Sequence, residues 1–119
     1  MEEDLYESWP CSERENFKEI YLFILDRLSE YYWLDGKPST AAGLCETILE
    51  KDNCREDIHR RLMRCYYQQE QRDKALKQYR KCVEALKTEL EVTPTGATNE
   101  LYEQIKKDSI SREEKNKSA

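Results

Sequence analysis

At 119 residues the chain has room for one domain, since domains run to roughly 100 to 200 residues. Its charged fraction of 38% equals its hydrophobic fraction and suits amphipathic helices, while three glycines and three prolines are too few for the turns of a β-sandwich or barrel. The net charge of −5 argues against an unaided grip on a phosphate backbone, which needs a basic footprint.

The chain opens Met1-Glu2-Glu3-Asp4, acidic where an export signal would be basic and then apolar, so a cytoplasmic protein is expected. Ser12 and Glu15 have capping-box spacing, and Phe17, Ile20, Tyr21, Ile24, Leu25, Leu28, Tyr31 and Tyr32 then recur at three-and-four spacing, predicting a long helix that stops at Gly36. Its apolar run from Ile20 to Leu25 falls far short of the roughly 18 residues of a membrane span. Lys37-Pro38-Ser39 makes the turn, and Ala41, Leu44, Cys45, Ile48 and Leu49 give a second helix. Asn53 with Glu56 restarts the chain. Ile58, Leu62, Cys65 and Tyr66 form the stripe of a third helix, and Ala75, Leu76, Tyr79, Cys82, Val83, Leu86 and Leu90 that of a fourth. Thr93-Pro94-Thr95-Gly96 breaks it. Leu101, Tyr102 and Ile105 support a short fifth helix, and residues 108–119, polar apart from Ile110, are expected to be a frayed C-terminal tail to a domain spanning 1–107.

Overlaying the chain on itself reveals a period of 34 residues: Leu28 and Leu62, Tyr32 and Tyr66, Ala41 and Ala75, and Cys45 and Tyr79. This is the tetratricopeptide period, in which a leucine and an aromatic on the first helix of a pair pack around a small alanine on the second. The expected fold is all-α, with tetratricopeptide-like antiparallel helix pairs: two repeats plus a short C-terminal helix. Gly36 matches the turn glycine of such repeats, whereas Ser29 replaces an earlier glycine and Asn53 the closing proline.

Particular residues go beyond a generic repeat. Leu5-Tyr6-Glu7-Ser8-Trp9, Tyr21-Leu22, Leu28-x-x-Tyr31-Tyr32, His59-Arg60-Arg61-Leu62-Met63, Ala75-Leu76-x-x-Tyr79 and Leu101-Tyr102-Glu103-Gln104-Ile105, with the segment from Leu86 to Pro94, resemble the bacterial transcriptional activator domain. That domain is the helical half of Streptomyces-antibiotic-regulatory-type activators, and the resemblance covers about residues 3 to 106. It implies a non-enzymatic interaction domain of a transcription regulator that serves self-association or contact with transcription machinery. It also implies a winged-helix DNA-reading part outside this sequence. Lys37-Pro38-Ser39-Thr40 departs from the family's acidic and aromatic lead into the second helix.

Candidate chemistry is sparse. His59 is the single histidine, with no nucleophile motif around it, and is expected to be half-exposed on its helix. Cys54, His59 and Cys65 lack the paired short spacings of structural zinc, and no glycine-rich phosphate loop exists, so neither metal nor cofactor is expected. The five cysteines show no C-x-x-C spacing and read as reduced, mostly buried thiols.

A binding groove is the better candidate. Residues 1–54 carry 5 basic and 13 acidic side chains, whereas residues 55–87 carry 10 and 5, so a basic middle could dock an acidic protein. The first helices of successive repeats should line a concave face with Asp26, Glu30 and Trp33 from one and Arg60, Arg64 and Tyr67 from the next. Arg60 and Arg64 could then hold a partner's carboxylates, with Trp33 and Tyr67 as flat anchors. Asp26 to Arg60 and Glu30 to Arg64 are also each 34 residues apart, so the same charges could simply bridge neighbouring helices. Lys74, Lys77 and Lys81 form a second basic ridge that reads as a solvated outer face. The expected partner is a protein or a second copy, with no membrane and no direct DNA contact by this domain. The alternative is a tetratricopeptide-like adaptor of a signalling protein.

Overall fold

The computed structural model describes the backbone of residues 11–118 and the side chains of residues 14–107. Among the described residues the secondary structure is helical: α1 Cys11–Leu34, α2 Pro38–Lys51, α3 Glu56–Gln68, α4 Arg72–Leu90 and α5 Gly96–Ser118. Each helix packs on the next, and α5 also touches α3, so two helix pairs stack with a further helix behind them. The stretch 5–9 and the Ser12 side chain lie outside the described residues. No helix among the described residues is long and apolar enough to cross a membrane.

The turns within the two pairs are built alike. Gly36 takes φ +76°, Lys37 N–H returns to the Tyr32 carbonyl at 2.9 Å and Gly36 N–H reaches that of Trp33 at 3.3 Å, a Schellman closure of α1. Pro38 then begins α2 at a position where its missing N–H costs nothing. In the second pair Glu70 occupies the same left-handed position at φ 60°, and Gln71 N–H returns to Tyr66 at 2.8 Å. A non-glycine residue there carries about 1 to 2 kcal/mol of backbone strain that Gly36 avoids.

Two cores result. Leu22 and Leu25 of α1, Ala41, Ala42, Cys45 and Ile48 of α2, and Ile58, Leu62 and Cys65 of α3 form the first. Met63, Ala75 and Ile105 form the second, flanked by Tyr66, Tyr67, Leu76, Tyr79, Leu101 and Tyr102. Ala41 and Ala75 are both fully buried, as the repeat requires, because a methyl side chain lets the paired helix approach closely.

The structure departs from sequence expectation in three places. Residues 108–118 continue α5 instead of fraying, since the stretch holds neither glycine nor proline and is rich in helix-forming Lys, Arg and Glu. His59 is buried, at 2% exposure, because it lies between the chain preceding α3 and Gln78 of α4. The largest departure is on α1. Of the eight residues of the expected core stripe, Leu25 is buried and Tyr32 packs against the core, but Phe17, Ile20, Tyr21, Ile24, Leu28 and Tyr31 are 40 to 60% exposed, and Phe23 and Leu34 extend that surface. The face actually buried carries Leu22, Leu25 and Ser29, with Tyr32 and Trp33 packed beside it. α1 is apolar around most of its circumference, and the small residues Ala41, Ala42 and Cys45 of α2 select the side that can come closest.

Candidate functional site

α1 and α3, the first helices of the two pairs, are tied by a polar lock. Arg61 of α3 donates through one nitrogen to the Asp26 carboxylate at 2.6 Å and to the Ser29 hydroxyl at 2.8 Å, and Ser29 donates in turn to the Asp26 carbonyl at 2.8 Å. Arg55, just ahead of α3, donates to Asp26 at 2.7 Å and to both oxygens of Asp57 at 2.8 and 3.1 Å. Burial pushes the Asp26 carboxyl up, but the hydrogen bonds from Arg61 and Arg55 outweigh it and hold it below the ordinary 3.8.

A second lock joins α3 to the start of α5. One Glu56 oxygen accepts from the Thr95 N–H and hydroxyl, each at 3.0 Å, and from the Thr98 hydroxyl at 2.7 Å. Arg60 donates to Thr98 at 2.9 Å and stands 3.8 Å from Glu56. Burial raises the Glu56 carboxyl, yet the Thr95 and Thr98 donors bring it below its usual 4.5. A carboxylate placed where free N–H groups begin a helix serves as its cap.

The six candidate residues are therefore divided. Asp26 and Arg60 do not meet: Asp26 takes Arg61 of α3, one position further along, beside Arg55 from the chain ahead of that helix, while Arg60 turns towards α5. One residue is 100° of helix rotation, enough to exchange the two arginines between the two sides of α3. Glu30 and Arg64 do not meet either. Glu30 lies 3.7 Å from Arg27 on its own helix, and Arg64 is exposed and makes no ion pair among the described residues. Trp33 and Tyr67 are half-buried, packed on the first and second cores respectively. The outer ridge of Lys74, Lys77 and Lys81 is exposed, with Lys74 5.7 Å from the Tyr66 ring centre. Arg55, Arg61, Ser29, Glu56 and Thr98 were missed from the sequence. Ser29 did carry a signal, as a polar residue at helical spacing with Leu22 and Leu25.

Among the described residues the titratable groups of the core are held by hydrogen bonds or by burial. His59 donates from Nε2 to the Asn53 carbonyl at 2.8 Å and accepts at Nδ1 from the Gln78 amide at 2.8 Å, so both nitrogens are occupied in the neutral ring. Gln78 and His59 lie on the wall of a cleft of about 410 Å³ between α2, α3 and α4. Cys45, Cys65 and Cys82 are buried, and burial pushes the Cys82 thiol up to about 11, away from the reactive thiolate. Among the described residues no group of three or more His, Cys, Asp or Glu side chains could hold a metal ion.

Burial moves His59 below its ordinary 6.5, against the opposing effect of the Asn53 carbonyl. A base with a lowered folded value contributes stability that is complete above pH 6.5 and is lost as pH falls from there through the folded value. Urea titrations at pH 7.5 and pH 5 should therefore show a drop at pH 5 that His59→Gln largely removes. An identical drop in the variant would rule out this ring as the source.

The family model described as bacterial transcriptional activator domain matches residues 2–106. No curated protein and no solved structure matches the chain.

Proposed function

Because the chain belongs to the bacterial transcriptional activator domain family, we propose that it is the non-enzymatic, protein-binding part of a transcription regulator whose DNA-reading module lies outside this sequence. The observation that carries the reading is the fate of the arginines along α3. Arg55, Arg60 and Arg61 are consumed by Asp26, Asp57, Glu56 and Thr98, whereas Arg64 is left exposed on the same helix. Tyr67 follows one turn later, and Trp33 occupies the corresponding position of α1. An exposed cation with a half-buried aromatic ring one turn along the same helix suits a carboxylate on a partner protein, because the ring keeps water from one side of the pair.

Arg64→Glu in the complete regulator should leave helicity unchanged and reduce transcription activation at least about tenfold, a loss of 1.4 kcal/mol in partner capture. Lys77→Glu, on the exposed face of α4, is the control and should change little. Normal activation by the Arg64 variant would remove this surface from the function.

A further inference from the structure

The cleft between α2, α3 and α4 has walls of opposite sign. Glu46 and Glu50 stand on its α2 side and Lys81 on its α4 side, all three exposed, and no ion pair joins them among the described residues. The Tyr66 hydroxyl donates to Glu46 at 2.5 Å and holds that carboxylate at the wall. Leu49, Leu62 and Ala85 supply the apolar lining, and Leu62 is 1% exposed. The same cleft carries a polar atom without a partner. The Asn53 carbonyl can only accept, so the proton of the neutral His59 ring is on Nε2 and Nδ1 is left as an acceptor. Gln78 must therefore turn its amide nitrogen to Nδ1, which leaves its Oε1 with no donor among the described residues, although Gln78 is only 5% exposed. A carbonyl buried to that degree is ordinarily paired, and this one belongs to a residue that lines the cleft, where a donor entering from solvent can reach it.

We propose that this cleft is an effector site for a small zwitterion whose ammonium and carboxylate are separated by an unbranched apolar chain. The ammonium donates to Glu46, Glu50 and the Gln78 Oε1, all of them acceptors, the methylene groups lie on Leu49, Leu62 and Ala85, and the carboxylate meets Lys81. Both charges are needed. A plain cation would face Lys81 and a plain anion would face two carboxylates, and each mismatch works against binding. Since Glu46 and Glu50 do not themselves reach Lys81, the ligand's charges must be spaced, which selects an ω-amino acid over an α-amino acid. The volume of about 410 Å³ falls within the roughly 300 to 1,000 Å³ of small-molecule sites. None of Arg64, Tyr67 and Trp33 lines the cleft, so the site goes beyond the protein-binding surface and is tested apart from it. A ligand that joins α2 to α4 ties the first helix pair to the second and stabilises the folded stack.

Titration of the whole chain with free glycine, γ-aminobutyrate and ε-aminocaproate, followed by amide chemical shifts, should move the signals of the cleft residues most tightly with ε-aminocaproate and leave them unmoved with glycine. The melting temperature should rise with ε-aminocaproate concentration. Hexylamine and caproate, which each keep one end of that ligand, should bind about fivefold more weakly, the upper range for an exposed ion pair. Glu50→Gln should lower ε-aminocaproate affinity towards that of caproate, and Lys81→Gln towards that of hexylamine, with helicity retained because both positions are exposed. Lys77→Gln, outside the cleft, should leave binding unchanged. No response to ε-aminocaproate would overturn the proposal. Binding that hexylamine or caproate alone matches, or that both cleft variants keep in full, would overturn it equally.

Discussion

Leu62→Ala is expected to lower the unfolding free energy by about 2 to 5 kcal/mol, while Leu28→Ala, the same change one repeat earlier, should cost about 1 kcal/mol or less. The two leucines are equivalent in the 34-residue overlay, but Leu62 is 1% exposed in the first core and Leu28 is 40% exposed. Truncating Leu62 removes its transfer energy and leaves a cavity walled by α1 and α2, whereas water can fill the space left at Leu28. The comparison belongs in dilute solution, where mass action removes any contribution from a second chain. Urea unfolding of both variants is the measurement, and equal losses would show that this face of α1 is covered within the single chain.

The other large effect is expected at Asp26. Its carboxylate carries Arg55 and Arg61 together, and the three side chains are only 18 to 28% exposed. Removing one member of a buried pair typically costs about 3 to 5 kcal/mol, and partial solvent access here reduces the expectation for Asp26→Ala to about 2 to 3 kcal/mol. Glu30→Ala, which breaks the exposed pair with Arg27, should cost about 0 to 1 kcal/mol. A pH signature accompanies the lock. Because the folded Asp26 value lies below 3.8, its stabilisation is present above pH 3.8 and disappears as pH falls through the folded value, so Asp26→Asn should flatten the acid limb of the stability curve. Equal costs for the Asp26 and Glu30 variants would show that the lock contributes no more than a surface pair.

Sequence alone determined the helices, the repeat and the family. Three-and-four spacing is a local property, and so are the left-handed glycine at 36 and the proline at 38, which is why α1 to α4 lie where their stripes place them. The fully buried Ala41 and Ala75 were legible because close helix approach demands a small residue at one fixed position of each repeat. The tertiary structure decided which side of α1 turns inward and which arginine meets which carboxylate. Spacing defines an apolar face only when the opposite face is polar. On α1 both are apolar, so Leu22 and Ser29, which the expected stripe left out, were chosen by the shape of α2 rather than by their own pattern. Arg60 and Arg61 are adjacent in the chain yet serve different helices, because the rotation between neighbours sends one to α5 and the other to α1. That rotation is fixed by how the helices pack, and no residue count along the chain contains it.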